Sequence, residues 1–199
     1  MDQPDYIIWK IDESEEVLRA QLSHPELFEQ KAANLKPGSR RMLEVLAVRC
    51  ALKELLYGEE REVLYTEDGA PYLEGGPYLS ISHTDGFAAV FTCGVPVGAD
   101  IERRGKRVQR VTSHFLRPEE LTVLTITGQL DLALHLAWSA KEAAFKILGH
   151  DYYDLQHRTT VQYIDWESQI LLLGVDAQDK PLTVHFTYTD EYVLAWVTR

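Results

Sequence analysis

The sequence predicts an α+β fold of two halves with similar element order, and three observations carry that prediction. Apolar runs punctuated by Gly, Pro and polar residues read as strand, helices, strands from Tyr6 to Thr92, and the same order returns from Val97 to Val197. The longest helical pattern is the apolar run from Leu130 to Leu148. Beyond His157 the pattern changes to short β-rich runs separated by polar turns. The halves meet near Val95. This predicts an N-terminal α/β half over 1–95 and a C-terminal α/β half over 96–199, each a helix packed on a small antiparallel sheet. The repeat is one of element order, without evident identity between the halves.

In the first half, Tyr6 to Ile11 reads as a strand and Glu15 to Leu22 as a short helix opened by Asp12 or Ser14. Pro25 is placed to start a second helix reaching Leu35. Pro37-Gly38 turns the chain, and Ser39 caps a strong helix from Arg40 to Tyr57 that Gly58 stops. Val63 to Thr66 is a strand, followed by the turn Glu67-Asp68-Gly69. Tyr78 to Ser82 and Phe87 to Thr92 are strands joined at Thr84-Asp85-Gly86, a hairpin signal.

In the second half, Val97 to Glu102 alternates. Val97, Ala99 and Ile101 face one way, and Asp100 and Glu102 the other. Val108 to Leu116 reads as a helix, and Pro118 opens another. Gly149 is the C-cap of the long helix. Thr159 to Ile164, Ile170 to Val175, Leu182 to Tyr188 and Tyr192 to Val197 predict an antiparallel meander.

The chain has 199 residues, 45% hydrophobic and 26% charged, a globular composition long enough for one large or two small domains. A net charge of −11 argues against nucleic-acid binding. No apolar run reaches the length of a membrane span, and the N-terminal Met1 to Asp5 is acidic, so the expected location is the cytoplasm, with no membrane partner. Cys50 and Cys93 stand alone among apolar residues, as reduced core thiols do.

Two stretches carry chemistry. Asp100 and Glu102 place two carboxylates on one strand face, which repel unless a positive charge lies between them. They are either a solvated strand edge or ligands of a hard cation. Glu142 and Lys146 are four apart in Trp138-Ser139-Ala140-Lys141-Glu142-Ala143-Ala144-Phe145-Lys146, so both heads share one helix face. They are either a surface ion pair or, with Asp100 and Glu102, a three-carboxylate site for Mg²⁺ beside a cation that meets phosphate. Arg103, Arg104, Lys106, Arg107 and Arg110 follow the acidic strand. This basic run is a solvated loop or a dock for phosphates or an acidic partner.

The G-x-D-x-E strand followed some forty positions later by W-S-x-K-E-A-x-x-K resembles the 4′-phosphopantetheinyl transferases of the longer, surfactin-synthetase-activating type. Ser80-Ile81-Ser82-His83-Thr84 is similar to the S-H-S element of that family, and the resemblance spans roughly Arg40 to Lys146. It implies a pseudo-duplicated fold of two α/β halves with coenzyme A bound between them, acting as a monomer. The implied activity is Mg²⁺-dependent transfer of 4′-phosphopantetheine from coenzyme A to a serine of an apo acyl or peptidyl carrier protein, releasing adenosine 3′,5′-bisphosphate.

The resemblance implies Asp100, Glu102 and Glu142 as metal ligands and Lys146 as the cation that stabilises or protonates the leaving phosphate. It implies Arg40, Ser82 and His83 as coenzyme phosphate contacts. Counting back nine positions from Arg49 favours Arg40 over Arg41. Lys141 faces phosphate or solvent. Ala70, in Gly69-Ala70-Pro71, stands where the family often has the lysine of G-K-P. The base that activates the serine is Glu142, a metal-bound water or Glu119. Two rivals are a binding module that holds coenzyme A or a carrier without chemistry, and a magnesium-dependent phosphohydrolase, for which no separate motif is present.

Overall fold

A computed structural model describes residues 3–149, 152, 154–176 and 178–199, so Met1 and Asp2 of the acidic N-terminal stretch lie outside the described residues. The chain forms two compact units, Met1–Pro96 and Val97–Arg199. Among the described residues no helix is long and apolar enough to cross a membrane.

The first unit opens with β1 (Asp5–Lys10), α1 (Glu15–Ala20), a 3-10 turn over Pro25–Leu27 and α2 (Glu29–Ala32). The single helix expected from Pro25 to Leu35 is thus split. Phe28, with φ −137°, lies between the two pieces and is buried in a cluster with Leu18, Met42 and Leu46. Packing one aromatic into that cluster outweighs continuing a short helix, which is marginal on propensity alone. Next comes α3 (Arg40–Leu55), whose first turn is closed by Ser39 Oγ accepting from the Met42 N–H at 3.3 Å. It ends two residues before the expected Tyr57, because Tyr57 and Gly58 both take positive φ. The short pair β2 (Leu64–Tyr65) and β3 (Pro71–Tyr72) flanks the Gly69 turn, and the hairpin β4 (Tyr78–Thr84) and β5 (Phe87–Cys93) completes the unit. β1 lies antiparallel to β5, so the sheet order is β1-β5-β4. Val48, Ala51 and Leu52 of α3 pack with Ala88 and Val90 of β5.

The second unit begins with β6 (Val97–Arg103), then α4 (Lys106–Val111) and a 3-10 turn over Thr112–His114. The helix expected from Val108 to Leu116 starts earlier and tightens at Thr112, whose hydroxyl donates back to the Val108 and Gln109 carbonyls. There follow α5 (Pro118–Ile126), α6 (Leu130–Leu148), α7 (Leu155–Arg158) and the meander β7 (Thr159–Asp165), β8 (Ile170–Val175), β9 (Leu182–Tyr188) and β10 (Tyr192–Thr198). β6 closes the sheet against β10, giving the antiparallel order β6-β10-β9-β8-β7. α6 lies on this sheet with Ala137, Ala140 and Ala144 in the same core as Val193, Ala195 and Val197. In each unit the first strand pairs with the last; the main sheets have three strands and five.

Gly98 sets how close β6 and α6 come. A Cβ at this position would stand 2.2 Å from the Ala143 carbonyl oxygen. The residue is glycine for room, not for an unusual φ.

Candidate active site

The approach at Gly98 decides which way the carboxylates face. Gly98, Asp100 and Glu102 alternate onto one side of β6, and Gly98 shows that this side is the one against α6. Asp100 is 8% and Glu102 9% exposed, so they are not a solvated strand edge. From α6, Lys146 donates to the Ala99 carbonyl at 2.6 Å and places its ammonium 3.3 Å from Asp100 Oδ1. Burial pushes the Glu142 carboxyl above the ordinary carboxylate range. Asp100 adds to that rise, Lys146 opposes it, and Glu102 adds a smaller push. Asp100, Glu102 and Lys146 therefore all act electrostatically on Glu142, and Lys146 meets Asp100 directly. Among the described residues no set of three or more His, Cys, Asp or Glu side chains is already disposed to hold a metal. The donor chemistry, hard carboxylate oxygens with excess negative charge that holds Glu142 up, does fit a hard divalent cation.

Lys141 requires a correction. It faces neither phosphate nor solvent, being fully buried. Its ammonium lies 2.9 Å from Glu120 Oε1 and donates to the Phe115 carbonyl at 2.7 Å, Thr159 at 3.0 Å and Leu155 at 3.3 Å. Glu120 also accepts from the Arg117 and Val161 N–H groups, each at 2.8 Å. Burial pulls the Lys141 pKa down, and the Glu120 carboxylate pulls it back up. The pair ties together α5, α6, α7 and β7. Glu119, its neighbour on α5, is exposed.

In the first unit a second set converges on Glu44 of α3. Arg40 Nε binds its carboxylate at 2.8 Å, Arg41 Nη1 at 3.1 Å, and His83 Nδ1 of β4 lies 3.3 Å from it. Arg41 also meets His83 Nε2, and Arg40 reaches Asp85 at 3.4 Å. A cavity of about 160 Å³ lies here, lined by Lys31, Arg41, Arg49, His83, Tyr65 and Glu44 among others. Arg41, not Arg40, lines it; Gly69 and Pro71 are on its wall, and Ser82 is buried beside His83 on β4.

The model of the 4′-phosphopantetheinyl transferase superfamily matches residues 96–197. The chain belongs to this superfamily. It is similar to enterobactin synthase component D of Escherichia coli O157:H7, 30% identical over 164 residues that cover 79% of this chain and 77% of that one, and to the same component of Shigella flexneri at the same identity and coverage. It is also similar to the 4′-phosphopantetheinyl transferase gsp of Aneurinibacillus migulanus, 27% identical over 124 residues, or 60% of this chain and 52% of the other.

As a member of the superfamily the chain is a transferase. The matched segment contains Asp100, Glu102, Glu119, Glu142 and Lys146, whereas Arg40, Ser82 and His83 precede it. Within the basic run, Arg104 is committed to its own unit, donating to the Thr189 carbonyl at 3.3 Å and to Asp131 at 3.4 Å. Lys106, Arg107 and Arg110 are exposed. Residues that sequence reasoning passed over are Glu120, Lys31, Tyr65 and Arg49. Arg49 carried a signal: it is a cation inside the apolar stretch Val45 to Leu52, where a solvated helix face has no place.

Proposed function

We propose that the chain transfers the 4′-phosphopantetheine group of coenzyme A to a serine of an apo acyl or peptidyl carrier protein and releases adenosine 3′,5′-bisphosphate. The observation that carries this reading is that Asp100 and Glu102 face the helix that carries Glu142 and Lys146, with the Lys146 ammonium 3.3 Å from Asp100 Oδ1 and the Glu142 carboxyl raised by burial and by Asp100. The name of the Aneurinibacillus relative supports it.

In this reading the serine oxygen attacks the phosphorus attached to the pantetheine arm. The new P–O bond forms as the bond to the nucleotide phosphate breaks, and the serine proton passes to a carboxylate. Glu142 and Glu119 are the two candidate acceptors. Lys146 would stabilise the charge left on the departing phosphate. Asp100, Glu102 and Glu142 would hold Mg²⁺, which when bound neutralises pyrophosphate charge. Arg40 or Arg41, Ser82 and His83 would contact the coenzyme phosphates. The partner is an acidic carrier met by the exposed Lys106, Arg107 and Arg110. The chain acts as a monomer in the cytoplasm.

The test is mass spectrometry of an apo carrier incubated with coenzyme A, Mg²⁺ and the protein. A gain of one phosphopantetheine is expected. Coenzyme A breakdown with an unmodified carrier would replace transfer with hydrolysis, and an unchanged mixture would leave a binding module.

A further inference from the structure

The sheet holds β6 as far as Arg104. Glu102 and Arg103 lie opposite Val193 and Tyr192 of β10, and the Arg104 N–H donates to the Glu191 carbonyl at 2.8 Å. Gly105 is the next residue and the last before α4. A glycine has no side chain to cap the helix it precedes, and a helix of six residues is not stable by itself. The direction in which the chain leaves β6 is therefore set by what packs against it.

His135 of α6 does this at Gly105. Its imidazole is fully buried. Nδ1 lies 2.8 Å from the Asp131 carbonyl, which can only accept, so Nδ1 carries a proton. Nε2 lies 3.0 Å from the Gly105 nitrogen and 3.0 Å from its oxygen, and in the neutral ring it accepts the Gly105 N–H. One turn back on α6, Asp131 takes the Gln109 amide at 2.8 Å and the Arg104 guanidinium at 3.4 Å. Arg104, Gly105 and Gln109 are thus fastened to α6, and Val108 is buried in the core that α6 shares. Lys106, Arg107 and Arg110 are left exposed. His135, Glu142 and Lys146 lie along one face of α6, two and three turns apart. The bond to Gly105 ties the start of the basic helix to the helix that carries Glu142 and Lys146.

We propose that His135 is a positioning residue for carrier recognition: through Gly105 it fixes the direction in which α4 presents Lys106, Arg107 and Arg110 relative to Glu142 and Lys146. This rests on the transfer reading and on those three cations meeting the carrier. His135 is buried and acts through α4, not by touching the carrier itself.

The test has two measurements on the full chain. In amide hydrogen exchange, His135→Phe keeps a ring and removes both bonds, so amides from Gly105 to Val111 should exchange roughly tenfold faster while β6 and α6 stay near wild type. In transfer kinetics with an apo carrier, His135→Phe should raise carrier KM about three- to tenfold, the worth of a few exposed charge pairs, with kcat and coenzyme A KM held. His135→Gln, whose amide offers both a donor and an acceptor, should bring carrier KM back to within about twofold of wild type. In a chain with Lys106, Arg107 and Arg110 changed to Gln, His135→Phe should add nothing further to carrier KM, because the cations it orients are gone. Should His135→Phe fail to fold, His135→Met takes its place, since a flexible thioether fills the space without either bond. Wild-type exchange in α4, or a carrier KM that rises equally with and without the three cations, overturns the proposal. The outcomes separate from those of the transfer reading. Transfer by wild type with an unmoved carrier KM in the folded variant rejects the positioning role and keeps transfer. No transfer by wild type rejects the transfer reading, and the role in carrier recognition with it.

Discussion

Lys146 and Asp100, forty-six positions apart, meet across the face between α6 and β6: the Lys146 ammonium stands 3.3 Å from Asp100 Oδ1. The contact gives Asp100 a cation from the helix that also carries Glu142. It follows that Asp100→Asn, Glu102→Gln and Glu142→Gln should each lower transfer roughly 10²-fold or more while leaving the fold intact, as removal of one group from a preorganised charged site does. Full transfer by Asp100→Asn at ordinary magnesium would remove it from the site. Glu142→Gln carries a pH signature as well. Its carboxyl is raised in the folded chain, so the stability it contributes is fully present below 4.5 and is lost as pH rises through the raised value. Urea midpoints measured against pH in metal-free buffer should show that loss in wild type and not in Glu142→Gln.

Gly98→Ala should move the whole group. The added methyl meets a backbone oxygen at 2.2 Å, so α6 must shift away from β6. Overpacking of this kind costs roughly 1–3 kcal/mol. The shift also separates Lys146 and Glu142 from Asp100. Urea unfolding should show the loss of stability, and turnover should fall further than the folded fraction accounts for.

Lys141 and Glu120 should behave as a structural pair. Lys141→Met leaves a buried carboxylate unpaired and should cost about 3–5 kcal/mol. Glu120→Gln should be damaging on its own, and the double variant should lose less than the sum of the two. Activity per folded molecule should be retained, which distinguishes this lysine from Lys146. A purely additive double variant would show that the two do not act together.

Arg41 and His83 should read a coenzyme phosphate. Arg41 lines the cavity and reaches His83, so Arg41→Ala and His83→Ala should narrow the preference for coenzyme A over its 3′-dephospho form by roughly tenfold, the loss of one charged hydrogen bond. The ratio of the two kcat/KM values measures this. Arg40→Ala should move it less, since Arg40 is bound to Glu44 and Asp85 and does not line the cavity.

Carrier recognition should depend on exposed charge. With Arg104 held by Thr189 and Asp131, the informative set is Lys106, Arg107 and Arg110. Exposed pairs contribute roughly 0.2–1 kcal/mol each, so the triple change to Gln should raise carrier KM about tenfold. The effect should fade with salt, and coenzyme A KM should hold. Movement of the coenzyme term instead would assign these residues to phosphate.

The sequence by itself determined the elements and the chemistry-bearing groups. Ser39, Pro118 and Gly149 marked helix ends because capping and backbone freedom are local properties. The period-2 pattern placed Asp100 and Glu102 together, and the four-residue spacing placed Glu142 with Lys146, because each depends on one element alone. Tertiary structure alone decided what those elements face. That β6 turns its carboxylates to α6 rests on the backbone approach at Gly98. That Lys141 goes into the core while Lys146, five positions on, meets Asp100 rests on which side of α6 the sheet covers. Phe28 broke a helix for a packing cluster drawn from α1 and α3. Burial and opposed charge arise between elements far apart in the chain, and no window of sequence contains both partners.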